Sequence, residues 1–286
     1  MQRWAISAVA LALGASSATA ALSDYDPFDY TGTALSGQNG GTGWTNGWFT
    51  TGTASATTLS NDNTSLAYPA TFESPLSTPT QVGARVSTGG TLTNSSSSRL
   101  MANTLSLAVD GNVMYASALI RKSAANGGGV TNDNILIEFT DAAGNRRFGF
   151  GIEGSGDKPW LNANGSTTPS AGPAVTPGDT YFIVAKIVSG ATPTLDTAYL
   201  KVFGTGYSSE VPFAEPVTWD ATLTQNTAAI LDRIRVRIDP GNTASTPGEV
   251  DDIRIGSDWV SVVPEPSSVV LLSLGGLIAF RRRRRA

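Results

Sequence analysis

Glu249 and Asp251 stand two residues apart near the end of the chain, in Gly248-Glu249-Val250-Asp251-Asp252-Ile253-Arg254-Ile255-Gly256. Alternate side chains of an extended segment point the same way, so a strand here would project both carboxylates from one face. Glycoside hydrolysis uses such a pair, about 5 Å apart for a nucleophile and an acid, wider for inversion. The plainer reading, adopted here, is a closing strand whose acids pair with Arg233, Arg235 and Arg237 or stand in water. Trp44, Trp48 and Trp160 sit in Gly- and Asn-rich surroundings. If exposed, they would offer flat apolar faces on which sugar rings stack, with amides nearby. The chain has no histidine and no cysteine. That removes His-based acid–base chemistry, Ser-His-Asp triads, disulfides and thiolate metal sites, leaving carboxylates, Lys, Tyr or Ser. The expectation is a protein that is not an enzyme.

The elements that would position these residues read as strands. Gly, Ser, Thr, Asn and Asp are abundant between short apolar runs, which is a strand-and-turn composition. In Ile230 to Ile238, the residues Ile230, Ile234, Val236 and Ile238 are assigned to one face, and Arg233, Arg235 and Arg237 to the other. Such alternation predicts an antiparallel strand with one wet face. Ile135 to Phe139 and Arg147 to Ile152 flank Asp141-Ala142-Ala143-Gly144-Asn145, which predicts a hairpin. Tyr181 to Val188 and Thr197 to Phe203 form a second pair, and Val250, Ile253 and Ile255 belong to a closing strand. Earlier strands are expected at 47–51, 67–72, 84–87, 106–109 and 114–121, with a loop at 91–98. No sustained helical periodicity and no repeat is visible in the body. Ten or more short strands predict an all-β fold, a two-sheet antiparallel sandwich.

The two ends carry addresses. Met1-Gln2-Arg3 is a short positive start, Trp4 to Ala15 an apolar run, and Ala18-Thr19-Ala20 a small-x-small site. This predicts a signal peptide over 1–20, cut by signal peptidase before Ala21. At the other end stand Val263-Pro264-Glu265-Pro266, then Ser267 to Phe280 without a charge, then Arg281, Arg282, Arg283, Arg284 and Arg285. As a helix the apolar run would measure about 21 Å, short of the roughly 30 Å bilayer core. Arginine stems can snorkel to extend it, and the cluster would hold that end in the cytoplasm. The expectation is a short C-terminal transmembrane helix, with the rest of the protein outside. These three ordered parts resemble the PEP-CTERM sorting signal of bacterial exported proteins. The resemblance implies an exosortase that removes the tail near Pro-Glu-Pro, transient inner-membrane anchoring, and exopolysaccharide as a partner.

The chain is thus divided into a signal peptide (1–20), a β-sandwich domain (21–262) and a sorting segment (263–286). Of 19 basic and 23 acidic residues, Arg3, the five tail arginines and Glu265 lie in or beside the addresses. Residues 21–263 keep 13 basic and 22 acidic residues, formally −9. Such a body is unsuited to nucleic acid or anionic membrane.

A second resemblance lies in Phe28-Asp29-Tyr30, in Ser36-Gly37-Gln38-Asn39-Gly40-Gly41-Thr42-Gly43-Trp44, and in Val250 to Gly256 with Trp259. These stretches are similar to the opening and closing strands of secreted proteins bearing this tail. It implies a concanavalin-like, laminin-G-like jelly roll whose first and last strands lie side by side, with Trp259 closing the sandwich. Jelly-roll hydrolases carry a further Glu shortly after the Asp, where this chain has Ile253, Arg254 and Ile255, and that departure disfavours hydrolysis. The fold would also bring Asp29, Asp251 and Asp252 together as candidate ligands of one structural Ca²⁺. The functional expectation is a structural or adhesive component of the envelope or exopolysaccharide matrix. The alternatives are a lectin-like module and, behind it, a carboxylate-dependent glycosidase.

Overall fold

The computed structural model describes residues 22–50, 59–62, 64–72, 83–87, 95–122, 134–154, 156–190, 195–239 and 248–264. The expected signal peptide and its cleavage residues Ala18, Ala20 and Ala21 lie outside these, as do Glu265, Pro266, the apolar tail and the arginine cluster. The described strands are β1 (Leu22–Asp26), β2 (Phe49–Thr50), β3 (Ser60–Asp62), β4 (Thr71–Phe72), β5 (Arg85–Ser87), β6 (Ser95–Ser106), β7 (Val113–Lys122), β8 (Ile135–Thr140) and β9 (Arg146–Ile152). They continue with β10 (Pro159–Ala163), β11 (Ser166–Pro169), β12 (Thr180–Val188), β13 (Asp196–Phe203), β14 (Glu210–Val211), β15 (Ala221–Gln225), β16 (Ile230–Ile238) and β17 (Gly248–Gly256). A single helical turn, α1 (Trp259–Val262), follows. No helix among the described residues is long and apolar enough to cross a membrane.

Two antiparallel sheets make the jelly-roll sandwich. The eight-stranded sheet runs β15-β13-β12-β7-β17-β5-β3, with β1 also paired to β17; the seven-stranded sheet runs β11-β10-β9-β8-β16-β6-β2. First and last strands are neighbours, Asp26 opposite Ile253 and Tyr25 opposite Arg254. The hairpin of β8 and β9 turns at Gly144, whose φ of 83° suits a residue without Cβ. Between the sheets, Phe139, Phe148, Phe150, Ile183, Val202 and Val236 are fully buried. Each such side chain contributes roughly 1.5–3 kcal/mol relative to exposure.

Several expectations are corrected, and the strand expected at 67–72 is confined to Thr71–Phe72. Ile230 is 55% exposed while Leu231 is buried, because β16 carries a bulge between Leu231 and Arg233 against β6. The register there steps two residues along β16 against five along β6, and the alternation upstream of it is reversed. The segment assigned to a loop at 91–98 supplies the start of β6, with Ser95, Ser97 and Ser98 buried opposite Ile238, Val236 and Arg235. Serine's weak strand preference yields to a central place between β16 and β2. The strand expected at 106–109 ends at Ser106, and a turn follows.

Trp259 does not close the sandwich. The eight-stranded sheet is apolar on its outer face as well, where Leu66, Leu119, Phe182, Val184, Phe203, Val211, Trp259 and Val262 form a second buried cluster. In β12, Ile183 and Ile187 face the sheet opposite while Phe182 and Val184 face α1 and its surroundings. A central strand with both faces covered reads as a continuous apolar run, as Tyr181 to Val184 does.

Candidate functional site

Glu249 and Asp251 do share the outer face of β17, and both are engaged. Glu249 is 5% exposed and lies between two cations: Arg85, with Nε 2.8 Å away, and Arg121 on β7. The arginines expected as its partners belong to the other sheet. There Arg235 and Arg146 pair with buried Glu138, and Arg237 pairs with Asp239. Asp251, fully buried, accepts the amide protons of Leu66 (2.8 Å) and Asp252 (2.7 Å). Burial pushes its carboxyl up to about 8, against the pull of those amides. Neither carboxylate has an open side toward a substrate.

Asp252 adopts a left-handed backbone (φ 50°) at the bulge of β17. Its carboxylate takes the guanidinium of Arg254 at 3.2 Å and the hydroxyl of Tyr68, while Arg254 stacks 4.7 Å over the ring of Tyr25. Asp29 is exposed, whereas Asp251 and Asp252 are buried in these separate bonds. Among the described residues no three acidic side chains form a group able to hold a metal ion.

The tryptophans expected to form a platform are mostly interior. Trp160 is 7% exposed and Trp48 1%. Trp48 donates Nε1–H to Asp26 (2.8 Å), and Asp26 also accepts from Tyr30 (2.6 Å), the Phe28 amide (2.8 Å) and Arg99 (2.6 Å). Arg99 lies between Trp44 and Trp48, 5.0 and 5.9 Å from their centroids, and reaches Asn39 and the Asn46 carbonyl. Trp44 is half-buried and donates to the Tyr25 carbonyl. These aromatics clamp a buried cation and pin the Gly-rich loop of 36–44, and that use takes most of their surface.

A different surface combines two half-buried aromatics, Tyr199 and Trp219, with charge. Thr222, Tyr199, Lys186 and Tyr115 lie in register across β15, β13, β12 and β7 on the outer face. Lys186 sits 5.2 Å from the Tyr115 ring and 5.7 Å from that of Tyr199, and Glu215 from the covering segment accepts from Lys186 (2.6 Å) and Tyr115 (2.7 Å). Half-buried Trp219 lies 5.5 Å from Tyr199 and 6.1 Å from Trp259. Beside it opens a depression of about 370 Å³ lined by Lys201, Phe203, Ser208, Glu210, Val217 and Thr218. Sequence reasoning passed over this cluster, although a signal existed. With Ile183, Ala185 and Ile187 facing inward, Lys186 must face out, and its neighbours Tyr199 and Tyr115 follow from pairing.

Buried acids also set a pH dependence. Burial drives Asp24 up to about 6, opposed by Ser23, Ala102 and Arg99, and Asp251 up to about 8. The folded state therefore holds protons that the unfolded chain releases from about pH 4 upward, and stability falls as pH rises through that window. Asp141 runs the other way. Its slight burial is outweighed by Arg147 and Asn145, which hold it at about 2, so its contribution is present above about pH 4 and lost below. Urea unfolding is expected to show greatest stability near about pH 4, with about 2 kcal/mol from Asp24 lost by about pH 7. Asp24→Asn should flatten that fall; an unchanged slope would refute the assignment.

The architecture defines an all-β sandwich, and the class of protein follows from its tail. Residues 262–285 match the model of the PEP-CTERM protein-sorting motif. The chain carries a sorting motif that marks exported proteins of the cell envelope and implies processing by an exosortase. No curated protein matches its sequence. Among solved structures it is similar to a protein of unknown function from Shewanella oneidensis MR-1, at 14% identity, 86% of this chain, 92% of that one and a TM-score of 0.44. It is also similar to the Lotus tetragonolobus seed lectin (10%, 60% and 86%, 0.37) and the receptor-binding domain of botulinum neurotoxin D (10%, 87% and 53%, 0.42). At these TM-scores the fold rests on the sheets themselves.

Proposed function

We propose that this exported protein is a non-enzymatic adhesive or structural component of the envelope or extracellular matrix that holds polysaccharide. The observation that supports this reading is the outer-face cluster of Tyr199, Trp219, Lys186 and Glu215 beside the 370 Å³ depression. Aromatic faces receive the apolar side of a sugar ring, while Ser208, Thr218, Lys201 and Glu210 offer hydrogen bonds to hydroxyls. The engagement of Glu249 by two arginines and of Asp251 by two amides speaks against a glycosidase.

Binding of the processed protein to a panel of immobilised polysaccharides is the test. Trp219→Ala should weaken retention at least tenfold, about 1.4 kcal/mol, without altering the circular dichroism. Equal retention of variant and parent would remove this surface from the account. Glycan hydrolysis abolished by Glu249→Gln would replace the proposal with the enzymatic one.

A further inference from the structure

We infer that the outer face of the seven-stranded sheet carries a second binding site, for a carboxylate-bearing sugar, closed over by Arg146. Strand pairing sets its frame. Asn162, Gly149, Glu138 and Arg235 lie in register across β10, β9, β8 and β16, and Trp160, Gly151, Leu136 and Arg237 form the next row. Leu161, Phe150, Ile137 and Val236 between the rows belong to the core, so both rows face outward. Gly149 and Gly151 add no side chain, which leaves bare backbone between the Trp160–Asn162 side and the Leu136–Glu138 side. Asn162 is fully buried, yet neither its Oδ1 nor its Nδ2 has a partner among the described residues. The same holds for Trp160 Nε1 and for Oγ1 of the fully buried Thr140, which follows Glu138 on this face. Unanswered polar atoms are costly inside a fold, and native proteins keep them where a ligand or water answers them.

Charge selects the ligand. Glu138, fully buried, takes Arg146 (3.0 Å) and Arg235 on separate oxygens, so one carboxylate serves two guanidinium groups. Arg146 also lies 6.0 Å from the centroid of the Trp160 ring, and its side chain is 25% exposed. Turning Arg146 outward leaves Glu138 paired with Arg235 and uncovers the Trp160 ring. A sugar ring then stacks on the indole, with its hydroxyls on the Trp160 N–H and the Asn162 amide. Its carboxylate takes the Arg146 guanidinium, whose fork of N–H groups matches the two oxygens. Residues 21–263 are formally −9, so an acidic ligand is held only where cations are locally in excess. The site is separate from the depression beside Trp219, which belongs to the other sheet. It rests on polysaccharide as the partner of this protein, but not on that surface.

Isothermal titration of the secreted protein with a galacturonate hexamer and with maltohexaose, its neutral counterpart, is the test. It is run on the parent and on Trp219→Ala, so that failure of the other surface and failure of this site are read separately. In both backgrounds the acidic hexamer is expected to bind about tenfold more tightly than the neutral one, and less tightly as salt rises. Asn162→Ala and Trp160→Phe should each weaken it about tenfold, and Arg146→Gln should erase the preference for acid. Asn162→Ala should also melt no lower than the parent, because it removes buried polar atoms that have no partner, whereas a purely structural amide would lower the melting temperature. Equal binding of the two hexamers overturns the acidic class of ligand. No binding, binding that Asn162→Ala and Trp160→Phe leave intact, or binding lost with Trp219→Ala overturns the site and assigns these polar atoms to internal water.

Discussion

Asp26→Ala is expected to lower the unfolding free energy by about 3–5 kcal/mol, the loss typical of one partner removed from a buried ion pair. Arg99 is 1% exposed and Asp26 fully buried, so water cannot replace the missing carboxylate. The variant would strand a guanidinium in the interior and orphan the protons of Tyr30, Trp48 and the Phe28 amide. Asp26→Asn keeps an acceptor and loses the charge, so it should fall between the two. Pairing Asp26→Ala with Arg99→Met should recover much of the loss, because an apolar side chain tolerates that cavity better than an unpaired cation. Guanidinium chloride denaturation of the parent, Asp26→Ala, Arg99→Met and the paired variant forms the cycle. A loss below about 1 kcal/mol for Asp26→Ala would show that the cluster is not the lock its geometry describes.

Trp259→Ala is the second large effect, about 3–5 kcal/mol by the usual cost of truncating a buried aromatic. The indole is 3% exposed, packed against Phe203 and Trp219, with its N–H on the Pro212 carbonyl. Its loss opens a cavity over the outer face and frees the segment that carries Pro212, Glu215 and Trp219. A melting temperature lower by about 10 °C is expected for a body of this size. Polysaccharide retention should fall with it, since Trp219 leans on this ring. A variant with unchanged melting would show that the outer cluster contributes little to the fold.

Strong periodicity made much of the fold legible. β8, β9, β12 and β13 alternate or run apolar, and their hairpins carry turn residues. Where local pattern was weak, pairing partners decided. Ser95 to Ser98 have no apolar alternation and are strand only because β16 and β2 flank them. Pro159-Trp160-Leu161-Asn162-Ala163, buried throughout in β10, drew no strand expectation and is placed by β9 and β11 beside it. The site fared worse than the fold. Trp44 and Trp48 looked like a sugar platform because their neighbours are Gly and Asn. Nothing local reveals that Arg99, more than 50 residues away, lies against both rings.

By itself the amino-acid order determined the destination and the broad architecture. A run of five arginines behind an uncharged stretch is read by charge and hydropathy, and strand alternation by period; both are properties of neighbours along the chain. Only the tertiary structure decided what Glu249, Asp251, Trp48 and Trp259 do, and that Val262 and Val263 belong to the body as much as to the tail. Burial and ion pairing depend on which distant residues meet, and no short window of sequence contains that information.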